Sequence, residues 1–303
     1  MERGPLVVVA NPTAGRGKAG RLIGKVDELL VECGLEHEIR VSTSSEHLMQ
    51  LAQEAGQGGA QVVATLGGDG TISIVANALL GTGAALATLP AGTADDFAKS
   101  IGMGSMEKAV RQLVDPCIEP VDVVRITTGA VQRHFVNVAG AGFDSEVNET
   151  ANDMRMNLGA TGTYVASVLK TLPKFQPAEF RVELDGEVLE LGAMLVVVAN
   201  SVSYGGGMRV TPQASIVDGM LDVCIVEAMS IPAFLRAFPK VFRGTHVTHP
   251  KVRMARSARV RLEADRRVQV YADGERVGPL PAVFEILPGA LPVVVGPGAV
   301  AVR

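Results

Sequence analysis

Gln61-Val62-Val63-Ala64-Thr65-Leu66-Gly67-Gly68-Asp69-Gly70-Thr71 reads as a strand buried on both faces that ends in a glycine-rich turn. A continuous apolar run with β-branched residues suits a parallel sheet, whose faces are both covered. On the amino side, Leu6-Val7-Val8-Val9-Ala10 is a second such run. It leads into Asn11-Pro12-Thr13-Ala14-Gly15-Arg16-Gly17-Lys18-Ala19-Gly20 and a helix around Ala19 to Cys33. Glu38 to Ser42 is a short strand, and Ser44 to Ala55 a helix with Ser44 or Ser45 as cap. On the carboxyl side a helix runs to about Leu80, and Ala84 to Leu89 forms a strand ending in Pro90-Ala91-Gly92-Thr93. Strand and helix alternate throughout, which predicts an open, mostly parallel sheet with helices on both faces. Ligands of such sheets sit at the carboxyl ends of the strands. All three glycine-rich turns fall at those ends, so they can converge on one crevice.

Gly70 to Ala94 carries no charge and is long enough to span a bilayer. Gly81-Thr82-Gly83 breaks it and Pro90 ends it, so it reads as a buried helix, a turn and a strand. After about Val121 the pattern changes. Strands are expected at Val123 to Thr127, His134 to Ala139, Phe180 to Leu184, Ala193 to Ala199, Leu221 to Val226, Ala258 to Leu262, Val268 to Ala272 and Ala282 to Leu287. Helices are expected at Thr163 to Thr171 and Ile231 to Phe242. This half reads as an antiparallel β-sandwich. The expected domains are 1–122, α/β, and 123–303, β-sandwich. The tail 290–303 is apolar and interrupted by Pro and Gly, and packing back on the first domain is one destination open to it.

A chain of 303 residues has room for two domains. With 47% hydrophobic and 20% charged residues, it has the balance of a folded protein. A net charge of -4 excludes a general polyanion binder, so any basic surface is local. Cys33, Cys117 and Cys224 are far apart and form no CxxC pair, which fits reduced thiols in a cytoplasmic protein. Met1 to Pro5 leads straight into a short apolar run, without the longer apolar region of a signal peptide.

The first turn lies between a strand and a helix, where backbone N–H groups and the positive end of a helix dipole suit phosphate. Gly15, Gly17 and Gly20 also satisfy the dinucleotide pattern GxGxxG. A Walker A loop is excluded, because Pro12 takes the place of the first glycine and Ala19 follows Lys18. In the second turn three glycines surround one carboxylate. Backbone N–H groups can hold phosphate oxygens there while Asp69 binds Mg²⁺, directly or through water. In the third turn Thr93 can bond a phosphate or cap the next helix. Asp95 and Asp96 are neighbours, so on a helix they project about 100° apart and serve different ends.

The Asn-Pro-x-x-Gly turn, the Gly-Gly-Asp-Gly-Thr turn and Gly92-Thr93-Ala94-Asp95-Asp96-Phe97-Ala98, in this order, resemble the catalytic domain of the diacylglycerol kinase family. Bacterial soluble lipid kinases and sphingosine and ceramide kinases share that domain. Val138 to Asp144, Thr211 to Ala214 with Asp218-Gly219-Met220-Leu221-Asp222, and Tyr271-Ala272-Asp273-Gly274-Glu275 are similar to later segments of the same family. NAD kinases share the Gly-Gly-Asp-Gly turn, and the later segments favour the lipid branch. The resemblance implies ATP binding by Asn11, Pro12, Thr13, Ala14, Gly15, Thr43, Gly67, Gly68, Asp69, Gly70, Thr71, Ile72, Ser73 and Thr93. It implies that Asp69 and Asp96 organise the phosphates and catalytic Mg²⁺, and that Glu275 is the general base for a lipid hydroxyl. It further implies a structural Mg²⁺ at Asp218 with backbone oxygens near Ser215 and Met220. Read from the residues alone, Asp273-Gly274 is a hairpin turn and Glu275 an ordinary strand residue. The family usually has Asn where this chain has Asp95, and ionised Asp accepts hydrogen bonds but donates none.

The expected function is therefore transfer of phosphate from ATP to a hydroxyl of a membrane lipid, diacylglycerol or a related glycerolipid, by a cytoplasmic protein that touches the membrane peripherally. Ten Lys or Arg and two acids, Glu263 and Asp265, lie between Arg236 and Arg267. That stretch is either a docking surface for an anionic leaflet or the solvated side of half-buried strands. It holds no Trp or Tyr, so a nucleic-acid stacking platform is missing and no nucleic-acid partner is expected. An exposed sandwich edge offers a homodimer contact. Two other functions remain open. One is an NAD(P)-binding enzyme, with Arg40 placed for a 2′-phosphate, or an NAD kinase-like small-molecule kinase. The other is a non-catalytic lipid- or nucleotide-binding protein.

Overall fold

The computed structural model describes residues 5–153, 159–297 and 299. Residues 1–4 of the amino end, and 298 and 300–303 of the tail, lie outside them. The chain forms two compact units, Met1–Val123 with Pro288–Arg303, and Val124–Leu287.

The first unit runs β1 (Leu6–Ala10), α1 (Ala14–Glu32), β2 (His37–Val41), α2 (Ser45–Gln57), β3 (Val62–Gly67), α3 (Asp69–Leu79), β4 (Ala85–Pro90), α4 (Asp96–Ser100) and α5 (Met106–Gln112). The strands are parallel in the order β2-β1-β3-β4. Every residue of β1, β3 and β4 is buried, as unbroken apolar runs require in a sheet covered on both faces. β2 lies at the edge and is only partly covered. Ser44 starts α2, its hydroxyl accepting the N–H of His47 at 3.1 Å. The uncharged stretch 70–94 is α3, a turn and β4. Among the described residues, no helix is long and apolar enough to cross a membrane.

The second unit is built from antiparallel strands. β5 (Cys117–Thr128) leads into β6 (Val131–Phe135), β7 (Val138–Gly142), α6 (Phe143–Asp153) and α7 (Gly159–Thr171). Then come β8 (Ala178–Leu184), β9 (Glu187–Ala199), β10 (Leu221–Glu227) and α8 (Ile231–Ala237). A 3₁₀ helix, Phe238–Arg243, continues α8 and is followed by β11 (Val252–Ser257), β12 (Arg259–Ala264), β13 (Gln269–Ala272), β14 (Glu275–Pro279) and β15 (Ala282–Val295). β9 organises this unit. Its first half pairs with β8 and its second half with β7 on one side and β10 on the other. Phe135, Phe180 and Phe284 fill the core with valines and leucines from seven of these strands. β15 begins against β12, and its last residues join the first unit, where Val293 pairs in parallel with Leu86 of β4. The apolar start of the tail thus completes the first sheet.

Three elements differ from the sequence reading. The single strand expected at His134 to Ala139 is two strands, β6 and β7. It breaks at Val136 and Asn137 because a carboxylate, that of Asp273, takes their N–H groups away from any ladder. Val252–Ser257, read only as part of a basic stretch, is a strand paired with β10. Phe143–Asp153, for which no element was expected, is a helix held inward by Phe143 and Val147 at i, i+4 spacing.

Candidate active site

The four parallel strands are laced together at their carboxyl ends. Ser42, just past β2, donates its N–H and its hydroxyl to the Ala10 carbonyl (2.9 and 3.0 Å). Asn11, just past β1, donates its N–H to Leu66 O at 3.1 Å, and Ala91, past β4, donates to Gly67 O at 2.9 Å. These bonds bring Asn11, Gly67 and Thr93's turn to one edge, with Thr43 beside them. Thr43 is exposed, and its N–H donates to His47 Nδ1 at 3.2 Å.

Within the first turn, Asn11 acts as a clamp. Its Oδ1 accepts the N–H and the hydroxyl of Thr13 (3.2 and 2.8 Å), and its Nδ2 donates to Thr71 Oγ1 at 3.3 Å. The first turn is thereby tied to the second. Gly15, Arg16 and Gly17 have left-handed or near-left-handed backbone, so regular helix begins only at Lys18. At Gly15 (φ +58°) a methyl group would overlap the Ala91 carbonyl oxygen. That glycine is required for contact with the third turn. Gly68 and Gly92 touch backbone to backbone, since a Cβ on Gly92 would lie 2.6 Å from Gly68 Cα. Three turns remote in sequence therefore approach one another at glycine backbone.

Gly68 caps α3 without a side chain, so the first N–H groups of α3 are left to whatever lies beyond them. Asp69, first residue of α3, does not cap its own helix. Its Oδ2 accepts the Asp96 N–H at 3.2 Å and its Oδ1 the Phe97 N–H at 3.0 Å. Asp69 thus closes the amino end of α4 and leaves that of α3 open. Asp96 is buried at 3% exposure, whereas Thr93 is exposed. Thr71 and Ile72 are buried as well, and the Ile72 N–H returns to Gly68 O at 3.0 Å. Ile72 therefore supports the turn by packing. Asp95 stands at φ +54° with its Oδ1 accepting the Gly92 N–H at 2.9 Å. Burial pushes its carboxyl above the ordinary value, the negative charge of Asp69 adds to this, and the Gly92 bond, Lys18 and Lys99 oppose it. Arg40 is forked onto Glu38 by two 2.8 Å bonds, so its guanidinium is already committed.

In the second unit, Asp273 and Gly274 form the two-residue turn between β13 and β14, with φ of +48° and +82°. Asp273 reaches back from the turn and accepts the N–H groups of Val136, Asn137 and Val138 at 3.0, 3.0 and 3.2 Å. Glu275, the first residue of β14, is exposed.

Asp218 lies in the turn before β10. Its Oδ1 accepts the Met220 N–H at 3.1 Å and its Oδ2 pairs with Arg256. The same guanidinium faces Asp222 Oδ2 at 3.7 Å. Asp222 is 3% exposed, that oxygen has no hydrogen bond, and burial pushes the carboxyl up to about 6. Ser215 is half-buried in the same loop. At the expected structural Mg²⁺ position, the Arg256 guanidinium therefore stands against both carboxylates. Among the described residues, no three His, Cys, Asp or Glu side chains cluster as metal ligands. His246 is buried, its Nε2 3.0 Å from Val210 O, while His249 Nδ1 accepts the Lys251 N–H.

One polar cluster escaped the sequence reading. Asp144 is buried, and its Oδ1 accepts hydrogen bonds from Tyr164 and from Tyr204 (2.8 Å for the latter). Asn148 donates to its Oδ2 at 3.3 Å. Burial holds this carboxyl above its usual range against those three bonds. Two of the chain's three tyrosines meet here, which their rarity could have signalled. Tyr164 and Tyr204 also line a small, mainly apolar cavity with Phe143, Phe234 and Phe238.

Comparison with known proteins covers the whole of this architecture. The family model for the diacylglycerol kinase catalytic domain matches residues 5–126. That for the YegS C-terminal NAD kinase beta sandwich-like domain matches 137–295. A diacylglycerol kinase of Mycobacterium tuberculosis is 34% identical over 296 residues, 96% of this chain and 95% of that protein. One from Bacillus subtilis is 28% identical over 282 residues, 91% of each. Two crystal structures from Bacillus anthracis share the fold. The first has a TM-score of 0.82 at 24% identity, covering 98% of this chain and 99% of that one. The second, of a diacylglycerol kinase, has a TM-score of 0.76 at 20% identity and covers 99% of both. With both domain models and a relative matching over nearly its full length, this chain belongs to the diacylglycerol kinase family.

Proposed function

We propose that the protein transfers the γ-phosphate of ATP to a hydroxyl group of a membrane lipid, diacylglycerol or a related glycerolipid, as a cytoplasmic enzyme touching the membrane at its surface. The observation that carries this reading is the pair of helix ends at the glycine crevice. Asp69 closes α4, while α3 starts behind Gly68 with no side-chain cap hydrogen bond among the described residues. An open helix end walled by glycine backbone suits a polyphosphate, because N–H groups and the helix dipole can approach it closely. Asn11, Thr13, Gly15, Gly68 to Gly70, Ser73 and Thr93 would meet the nucleotide, with Thr71, Ile72 and Asp96 buried in support. Thr43 follows β2 on the same edge.

Phosphoryl transfer needs positioning and charge neutralisation more than covalent help from the protein. The lipid hydroxyl oxygen forms a bond to the γ-phosphorus, the bond from that phosphorus to the β,γ-bridging oxygen breaks, and ADP leaves. The hydroxyl proton goes to Glu275, whose exposed carboxylate is held at the head of β14 by the Asp273 turn. Mg²⁺ would neutralise phosphate charge near Asp69 and Asp96, and a second ion would be held by Asp218 with backbone oxygens of Ser215 and Met220. Transfer of labelled γ-phosphate from ATP into mixed micelles carrying a lipid panel tests the proposal. An organic-extractable labelled product names the acceptor. Label confined to the aqueous phase overturns the lipid reading and points to a soluble acceptor.

A further inference from the structure

The basic stretch 236–267 is not one surface. In its strand half the cations from Lys251 to Arg261 are already matched, and Arg266, past β12, lies over the Phe175 ring and donates to Gln176 O. Arg253 pairs with Glu227, Arg256 with Asp218, Arg259 with Glu285 at 3.5 Å and Arg261 with Glu263 at 2.5 Å. Lys251 donates to Ala228 O at 2.6 Å. In its helical half, α8 and the 3₁₀ helix Phe238–Arg243, they are not. Arg236, Lys240 and Arg243 are exposed, and none has an acidic partner within 4 Å among the described residues.

This helical segment also has two sharply different sides. Phe234, Ala237, Phe238 and Val241 turn inward to line the apolar cavity. Ile231 and Leu235, at i, i+4 spacing, turn outward with 42% and 40% exposure, flanked by Pro232 and Pro239. Every exposed residue from Ile231 to Arg243 is thus apolar or cationic. No Asp or Glu occurs between Ala228 and Leu262.

We infer that α8 and its 3₁₀ extension are the element that docks on an anionic membrane surface, with Ile231 and Leu235 entering the headgroup boundary and Arg236, Lys240 and Arg243 facing anionic headgroups. Apolar side chains ringed by unneutralised cations are what an interfacial helix presents to such a surface. The absence of acids argues for a uniformly negative partner over a protein face, which mixes both signs. The aromatic rings all point inward, so nothing is offered for stacking with bases. The inference rests on the lipid-kinase reading for its purpose and on the charge pattern for its location.

The test is flotation of the full chain with vesicles of phosphatidylcholine, with and without phosphatidylglycerol. Wild type should bind only the anionic vesicles. Arg236→Gln/Lys240→Gln/Arg243→Gln should lose on the order of 100-fold in partitioning. Ile231→Ser/Leu235→Ser should lose roughly 10-fold or more. Arg253→Gln/Arg261→Gln, on the matched half, should bind as wild type does. Unchanged binding by either helical variant, equal loss in the Arg253/Arg261 control, or no binding by wild type overturns the inference. So does a dimer in size-exclusion chromatography that Ile231→Ser/Leu235→Ser dissolves, because a second copy then covers the face. Phosphoryl transfer in neutral detergent micelles is measured alongside and separates the two readings. Unchanged micellar activity in the helical variants leaves the lipid kinase standing whatever the vesicles show. Vesicle binding without any lipid product ends the kinase reading and keeps the docking element.

Discussion

Asp69 and Asp273 sit in look-alike turns, Gly68-Asp69-Gly70 in the first unit and Asp273-Gly274 in the second. Both carboxylates do the same thing. Each grips backbone N–H groups of a segment far away in sequence, 27 and 28 residues for Asp69 and 135 to 137 for Asp273. Their neighbours differ. Beside Asp69 the open groups are backbone, the amino end of α3. Beside Asp273 the open group is a side chain, the carboxylate of Glu275. In both motifs the aspartate is spent on building the turn, and a neighbouring group is left exposed. The first turn thus exposes N–H donors and the second a carboxylate acceptor, two different chemistries built on the same device.

The sharpest way to break this comparison is Glu275→Gln. Activity should fall about 10²–10⁴-fold, while stability stays within about 0.5 kcal/mol because the side chain is exposed. Retained activity in a phosphoryl-transfer assay would remove Glu275 from the chemistry. Next is Asp273→Ala, which strips the acceptor from three N–H groups. Denaturant unfolding should show a loss of about 3 kcal/mol or more, since each abandoned group costs about 1–3 kcal/mol. A loss confined to activity would mean that Asp273 is not an anchor.

Asp69→Ala uncaps α4 and should cost about 1–2 kcal/mol. Nucleotide affinity, followed by calorimetry, should fall with it, because the third turn is no longer held against the second. The smallest effect belongs to Asp95→Asn. The raised Asp95 carboxyl holds a proton, between its ordinary and its raised value, that the unfolded chain has already released. Wild-type stability therefore declines as pH rises through that window. The variant lacks this slope and keeps an oxygen for the Gly92 N–H. Its thermal midpoint should match wild type below about pH 4 and exceed it above. Parallel pH profiles for the two chains would show that Asp95 ionises as freely as in water.

Much of this molecule is legible residue by residue. The apolar runs of β1, β3 and β4, alternating with helices, mark a parallel sheet covered on both faces. Gly67 to Thr71 mark a turn at a strand end, and Asp273-Gly274 mark the hairpin, because their conformations follow from local sterics. Other features were hidden. α6 carries too few apolar residues to announce itself, and its Phe143 and Val147 acquire meaning only once β7 and β9 supply a surface. The basic stretch looked uniform because ion pairs with Glu227, Asp218 and Glu285 join residues 26, 38 and 26 positions apart.

The amino-acid sequence by itself determined the strand and helix alternation, the three glycine turns, their place at the strand ends, and the family to which their order points. These depend on neighbours along the chain, where propensity, periodicity and turn sterics act. Tertiary structure alone decided that Asp69 closes α4, that Asp273 splits one expected strand into two, that two tyrosines enclose Asp144, and that, among the described residues, Arg253, Arg256, Arg259 and Arg261 are paired with acids while Arg236, Lys240 and Arg243 are not. A carboxylate binds whichever N–H or guanidinium the fold brings within about 3 Å, and that proximity is set by packing across the whole chain.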